Sequence, residues 1–219
     1  MGFFDENKIK AAIFDLDGTL VDSMSMWRRV LPDFLDEYEI EADPDILRRV
    51  SFMTLPQSSK YVAEKYPQLS MTGEEIMEVW MQNIFEHYSK NIPLRPGVKE
   101  LFDLLKSKGV KLAVATACNH VLAESCLENN GILNMLDNIT YAEEVGTGKD
   151  KPDVYLECLR RLGCRAEEAF LFEDILIAVK TAQKIGLRTI AIEEESALAD
   201  REEIKKTAFE YIVDFRELL

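Results

Sequence analysis

Short, almost continuously apolar segments recur along this chain, each followed by a stretch of helical period, and that rhythm leaves few folds open. Residues 10–14 (KAAIF), 110–115 (VKLAVA), 138–141 (NITY), 169–172 (AFLF), 188–192 (RTIAI) and 211–215 (YIVDF) are such runs. Most do not alternate polar with apolar residues, which is the pattern of strands covered on both faces of a parallel sheet. Between the later runs, residues 98–108, 121–129, 154–162 and 177–185 carry helical spacing. Gly109, Gly131, Gly163 and Gly186 follow them closely, where helix C-terminal caps belong. Strand and helix in alternation predict a doubly wound α/β sheet.

One interval breaks the rhythm. About 95 residues lie between Asp15 and the next strand-like run at Val110, far more than one crossover helix needs. Within it, residues 26–38, 45–49, 57–66 and 73–88 have amphipathic helical spacing. The spacing predicts an inserted all-helical domain over residues 22–92, with residues 1–21 and 93–219 forming the sheet-containing core. The segment Asn91-Ile92-Pro93-Leu94-Arg95-Pro96-Gly97 marks the return, since its prolines and glycine oppose continuous helix.

Asp and Glu number 40 against 26 Lys and Arg, a net charge of −14. Such a surface repels nucleic-acid phosphates and anionic lipid over most of its area, so neither is an expected partner. A phosphorylated ligand would need cations concentrated locally. Residues 1–8 (MGFFDENK) lack the basic-then-apolar order of a signal peptide, and no apolar run approaches the ~18–20 residues of a membrane span. Cys118, Cys126, Cys158 and Cys164 form no C-x-x-C pair, and the two His cannot complete a zinc set with them at usual spacing. Reduced thiols in a cytoplasmic protein are expected, and a monomer is compatible with all of this. The run Glu193-Glu194-Glu195 reads as a solvated loop after the fifth strand.

The segment Phe14-Asp15-Leu16-Asp17-Gly18-Thr19-Leu20-Val21-Asp22-Ser23 carries the chemistry. Two carboxylates at i and i+2 point to one side of an extended chain. They stand at the carboxyl end of a strand, where open α/β sheets place their ligands. Two like charges so close repel, and a hard cation such as Mg²⁺ relieves that repulsion. An Asx-type turn would account for one Asp and the Gly, but not for both carboxylates on one side of a buried strand.

With this segment the chain resembles the haloacid dehalogenase-like hydrolase superfamily, whose first motif is DxDGT/V, and further motifs extend the resemblance over almost the whole chain. The strand ending in Thr116 resembles the second motif. The resemblance implies that Thr116 and the backbone from Ala117 onward, at a helix N-terminus, bind phosphate. Gly148-Lys149-Asp150-Lys151-Pro152-Asp153 resembles the third, with Lys149 in register and Lys151 a competitor two residues on. Phe172-Glu173-Asp174 resembles the fourth, except that Ile175 stands where the family often has Ser. The family fold is a Rossmann-like doubly wound parallel sheet with an inserted all-helical cap, here of the C1 type.

The resemblance implies a phosphatase acting on a small phosphorylated metabolite. Asp15 is the nucleophile that becomes an aspartyl-phosphate, and Asp17 is the general acid and base. Thr116 and Lys149 hold phosphate oxygens, and Mg²⁺ is held by Asp15, Asp17 through its carbonyl, Asp174 and Glu173. Asp17 favours the phosphatase and phosphomutase branch, because the related dehalogenases and phosphonatases lack it. A β-phosphoglucomutase-like mutase is the nearest alternative, although residues 48–54 (RRVSFMT) lack its cap phosphate contact; a non-catalytic phosphate-binding module is another. Met24, Met26 and Trp27 are expected to pack the helical insert rather than a substrate. Tyr61, Tyr66 and Trp80 are core candidates there. His87 and His120, with no matched partners in the sequence, read as surface or packing residues. A redox role for Cys118 beside Thr116 is the remote alternative.

Overall fold

The computed structural model describes Phe4, residues 9–50 and residues 53–219. The rest of the N-terminal segment read for a signal peptide, and Ser51 and Phe52 of the arginine-bearing stretch, lie outside the described residues. Among those described, the chain forms two compact units, Met1–Ser23 with Ile92–Leu219 and Met24–Asn91.

The first unit is α/β. Its strands are β1 (Ala11–Phe14), β2 (Lys111–Thr116), β3 (Asn138–Tyr141), β4 (Ala169–Glu173), β5 (Arg188–Ile192) and β6 (Glu210–Ile212). They form one sheet in the order β3-β2-β1-β4-β5-β6, and every pairing is parallel. β1 is the hinge of the winding order, with Phe14 in register with Val114 of β2 on one side and Phe172 of β4 on the other. All four of its residues are buried, as its apolar run requires.

Side chains alternate between the two faces. Ile13, Ala113, Ala115 and Leu171 pack with Val154, Tyr155, Cys158 and Leu159 of the helix Asp153–Leu162. On the other face the rings of Phe14 and Phe172 stack at 4.3 Å, with Phe102 5.0 Å from Phe14. The four cap glycines all have positive φ.

The sixth strand is shorter than the apolar run 211–215 predicts. Asp214 accepts from Arg216 N and begins a 3-10 turn, Phe215–Leu218. Phe215 is buried against Phe172, with ring centroids 5.7 Å apart, so its hydrophobicity serves the core rather than a ladder. The acidic run after β5 is solvated only in part: Glu195 is exposed, but Glu193 and Glu194 are held by partners. Glu194 is buried and paired with Arg95 at 2.9 Å. Glu193 accepts from the Tyr211 hydroxyl at 3.1 Å and pairs with Arg201.

The second unit contains the helices Met24–Glu37, Pro44–Val50, Leu55–Lys65 and Gly73–Lys90. Thr72 and Glu75 cap the last of these reciprocally. Phe34 meets Trp80 edge-on at 5.9 Å, and the Trp27 indole N–H donates to the Tyr88 hydroxyl at 3.0 Å. Trp27 therefore packs the unit's own helices, as expected. Tyr66 and Trp80 are buried, and Tyr61 is half-buried.

Candidate active site

The parallel sheet brings the carboxyl ends of β2, β1 and β4 side by side. Each strand delivers a polar group there. Asp15 follows β1 directly and donates its backbone N–H to Phe172 O at 2.9 Å, continuing the β1–β4 ladder by one residue. Thr116 ends β2, Glu173 ends β4 and Asp174 follows it. Asp15, Thr116, Lys149, Glu173 and Asp174 are all buried.

Asp15, Glu173 and Asp174 each offer a carboxylate oxygen, and these oxygens lie within 4.8 Å of one another. The Lys149 ammonium enters the same cluster. It pairs with Asp15 and donates to Glu173 Oε1 at 2.6 Å. Lys151 is exposed, so of the two lysines only Lys149 joins the cluster.

Glu173 is the brace. Its Oε1 also accepts the Tyr155 hydroxyl at 3.3 Å, and its Oε2 accepts the backbone N–H groups of Asp174 at 2.9 Å and Ile175 at 3.1 Å. Ile175 has no side chain with which to cap the helix Leu176–Lys184, and the Glu173 carboxylate takes up an N–H at that end instead.

Three carboxylates face one ammonium in a water-poor setting. Burial pushes Asp15 up to about 7 against the pull of Lys149, with Glu173 and Asp17 adding repulsion. Burial, reinforced by Glu173 and Asp15, lifts Asp174 well above the usual carboxylate range. Burial pulls the Lys149 ammonium down, but Asp15 and Glu173 outweigh it and hold it well above the usual lysine value. Uncompensated negative charge on an all-oxygen donor set suits a hard divalent cation, so the residues present fit Mg²⁺.

Asp17 stands apart from the three clustered carboxylates. It is half-buried, and its Oδ1 accepts the Ser23 hydroxyl at 2.7 Å. Gly18 then turns with φ +79°. Thr116 Oγ1 accepts Cys118 N at 2.9 Å, and Ala117 is exposed in the bend that follows. The next helix runs from His120 to Asn129, one residue longer than the helical spacing of 121–129, with Asn119 Oδ1 accepting from Val121 N at 3.0 Å. Thr116 thus opens a turn ahead of the helix rather than capping it. His120 does have a partner: its Nδ1 lies 2.9 Å from Glu143 Oε1, in an exposed pair.

Two contributors escape sequence reasoning. Thr19 is fully buried and donates its hydroxyl to Asp174 Oδ1 at 3.1 Å; its place inside DxDGT is the only signal. Tyr155, at helical core spacing, gives no polar signal at all. Burial pushes its phenol well above the ordinary value, so it stays a hydrogen-bond donor to Glu173.

A doubly wound sheet with three buried carboxylates and one lysine at the carboxyl ends of its central strands places a cluster able to hold a cation where open α/β sheets bind their ligands. The profile of the haloacid dehalogenase-like hydrolases matches residues 12–192, and the chain belongs to that family. It is 30% identical over 194 residues to the chloroplastic protein SUPPRESSOR OF QUENCHING 1 of Arabidopsis thaliana, covering 86% of this chain but only 18% of that much longer protein. It is 28% identical over 188 residues to the phosphorylated carbohydrates phosphatase of Thermotoga maritima, covering 83% of this chain and 84% of that one. The crystal structure of CbbY from Rhodobacter sphaeroides in complex with phosphate superposes with a TM-score of 0.74 at 25% identity, over 96% of each chain.

Proposed function

We propose that the protein is a Mg²⁺-dependent phosphatase that hydrolyses a small phosphate monoester, a phosphorylated sugar or sugar alcohol, through an aspartyl-phosphate on Asp15. The observation that carries this is the buried cluster itself: Asp15 paired with Lys149 beside Glu173 and Asp174, with Asp17 two residues on and outside the cluster. The likeness to a carbohydrate phosphatase and to a phosphate-bound structure supports the substrate class.

Asp15, Asp174 and the Asp17 carbonyl would hold the metal, with Glu173 contributing its charge from behind. Bound there, Mg²⁺ supplies positive charge that lets carboxylate and phosphate approach each other. Asp15 attacks phosphorus, and the bond to the leaving oxygen breaks as the carboxylate–phosphorus bond forms. Lys149, the Thr116 hydroxyl and the Ala117 N–H hold the non-bridging oxygens. Asp17 gives its proton to the leaving oxygen, then takes one from the water that attacks the aspartyl-phosphate, releasing inorganic phosphate and restoring Asp15. Glu173, itself gripped by Tyr155 and two backbone N–H groups, aims Lys149. The helical insert is assigned the role of a cap that reads the leaving group, and the free thiols accord with a cytoplasmic setting.

The test is phosphate release from p-nitrophenyl phosphate and a panel of sugar phosphates, with and without Mg²⁺. Asp15→Asn is expected to abolish turnover. Near-wild-type activity in that variant, or inactivity of the wild type across the whole panel, overturns the proposal.

A further inference from the structure

Arg95 lies between Pro93 and Pro96 in what reads, along the chain, as simple punctuation. Its side chain is nonetheless only 15% exposed. One guanidinium nitrogen, Nη1, donates to the Gly18 carbonyl at 2.6 Å and to Glu194 Oε2 at 2.9 Å; the other, Nη2, donates to the Glu193 carbonyl at 2.7 Å. Its backbone N–H donates to Leu20 O at 2.9 Å. One residue therefore ties the loop after β1 to the loop after β5.

Resting on the phosphatase reading, we propose that Arg95 is the positioning residue for Asp17: by holding the Gly18 carbonyl it fixes the turn that aims the general acid at the leaving oxygen. The segment it grips is tightly curled. Gly18 N donates to Val21 O at 3.1 Å, while Leu20 N and Val21 N both donate to Leu16 O, at 2.9 and 3.1 Å. Ser23 grips the Asp17 carboxylate from one direction, and Arg95 grips the next peptide from another. The cation is matched by Glu194, whose side chain is 8% exposed. Arg95 therefore acts through geometry and not as an additional charge on the phosphate. Its planar fork meets three acceptors at once, which a lysine's single ammonium cannot reproduce.

A general acid matters most when the leaving group is a poor one. An alkyl alkoxide needs the Asp17 proton as the P–O bond breaks, whereas p-nitrophenolate leaves with little help. The measurement is the ratio of kcat/KM for the best alkyl phosphate in the panel to kcat/KM for p-nitrophenyl phosphate, in wild type, Arg95→Lys and Glu194→Gln. The ratio is expected to fall about tenfold in Arg95→Lys, within the range a general acid contributes, and to a lesser extent in Glu194→Gln, which keeps an acceptor for Nη1 but removes the charge. Loss of folded enzyme lowers both numbers alike, so an unchanged ratio in both variants overturns the proposal. If Arg95→Lys does not fold, Glu194→Gln decides alone: a lowered ratio supports the positioning role and an unchanged one overturns it. A wild type active on both esters sustains the phosphatase reading whatever the variants do. A wild type inactive on both removes that reading and this proposal with it.

Discussion

Thr19 donates its hydroxyl to Asp174 Oδ1 at 3.1 Å, joining two residues 155 apart in the chain inside the buried carboxylate cluster. A hydroxyl in that place orients a carboxylate whose own environment otherwise favours its neutral form. Thr19→Val, which removes the donor at nearly equal volume, is expected to weaken Mg²⁺ binding about tenfold, as loss of a ligand-orienting partner does. Thr19→Ser should restore most of it. Titration calorimetry with Mg²⁺ alone reads both, and equal affinities in all three proteins would remove Thr19 from the site.

Lys149 and Lys151 separate cleanly. Among the described residues, Lys149 is the one cation paired with the clustered carboxylates, so Lys149→Ala leaves them uncompensated. The expected result is a loss of about a hundredfold or more in kcat, the scale of one electrostatic donor, with a lower Tm. Lys151→Ala should stay within about twofold of wild type, as surface changes do. A reversed pattern in steady-state assays would reassign the motif lysine.

Asp15 links stability to pH. Its pKa is about 7 in the folded, metal-free chain against an ordinary value of 3.8. The folded state therefore holds a proton that the unfolded chain has released. Its stabilising contribution is complete below pH 3.8 and is lost as pH rises through 7. A metal ion competes with that proton. The Tm of the metal-free protein is expected to fall between about pH 4 and 7, and the gain in Tm from Mg²⁺ to grow over the same interval. Thermal unfolding with and without Mg²⁺ across the range checks both, and a Mg²⁺ gain that shrinks with rising pH would contradict the assignment.

Two glycines with positive φ should respond differently to alanine. At Gly97, φ +87°, an added Cβ would lie 2.7 Å from the backbone N of Arg216. At Gly109, φ +72°, it would meet nothing within 4 Å. Gly109→Ala is expected to cost about 1 kcal/mol, from the left-handed backbone alone. Gly97→Ala adds an overpacking term of about 1–3 kcal/mol. Denaturant melts of the two variants give the comparison, and equal midpoints would contradict it.

The strands were legible because burial on both faces writes itself as an unbroken apolar run, and the two Asp of DxDGT because a carboxylate pair on a buried strand has no bland explanation. Long-range polar braces were not. Arg95 finds Gly18 and Glu194 across 77 and 99 residues, and no periodicity along the chain registers such a meeting. Glu193 and Glu194 read as solvated for the same reason, their partners being remote. Tyr155 looked like one more core residue, since an aromatic ring at helical spacing says nothing of where its hydroxyl ends. The sixth strand was read too long because Phe215 is as apolar in a turn as in a ladder.

The winding order β3-β2-β1-β4-β5-β6 has a consequence for synthesis. Of the six strands β1 leaves the ribosome before the others, yet its two hydrogen-bonding neighbours are residues 111–116 and 169–173. A fully apolar strand must therefore wait without a partner until residues 111–116 emerge and with only one until residues 169–173 do, and the carboxylate cluster at its tip closes only when β4 arrives. Non-local parallel pairing of this kind folds slowly and leaves sticky edges exposed meanwhile. A nascent chain stalled short of residue 169 would carry Asp15 but none of the partners from β4, a molecule for chaperones rather than for chemistry.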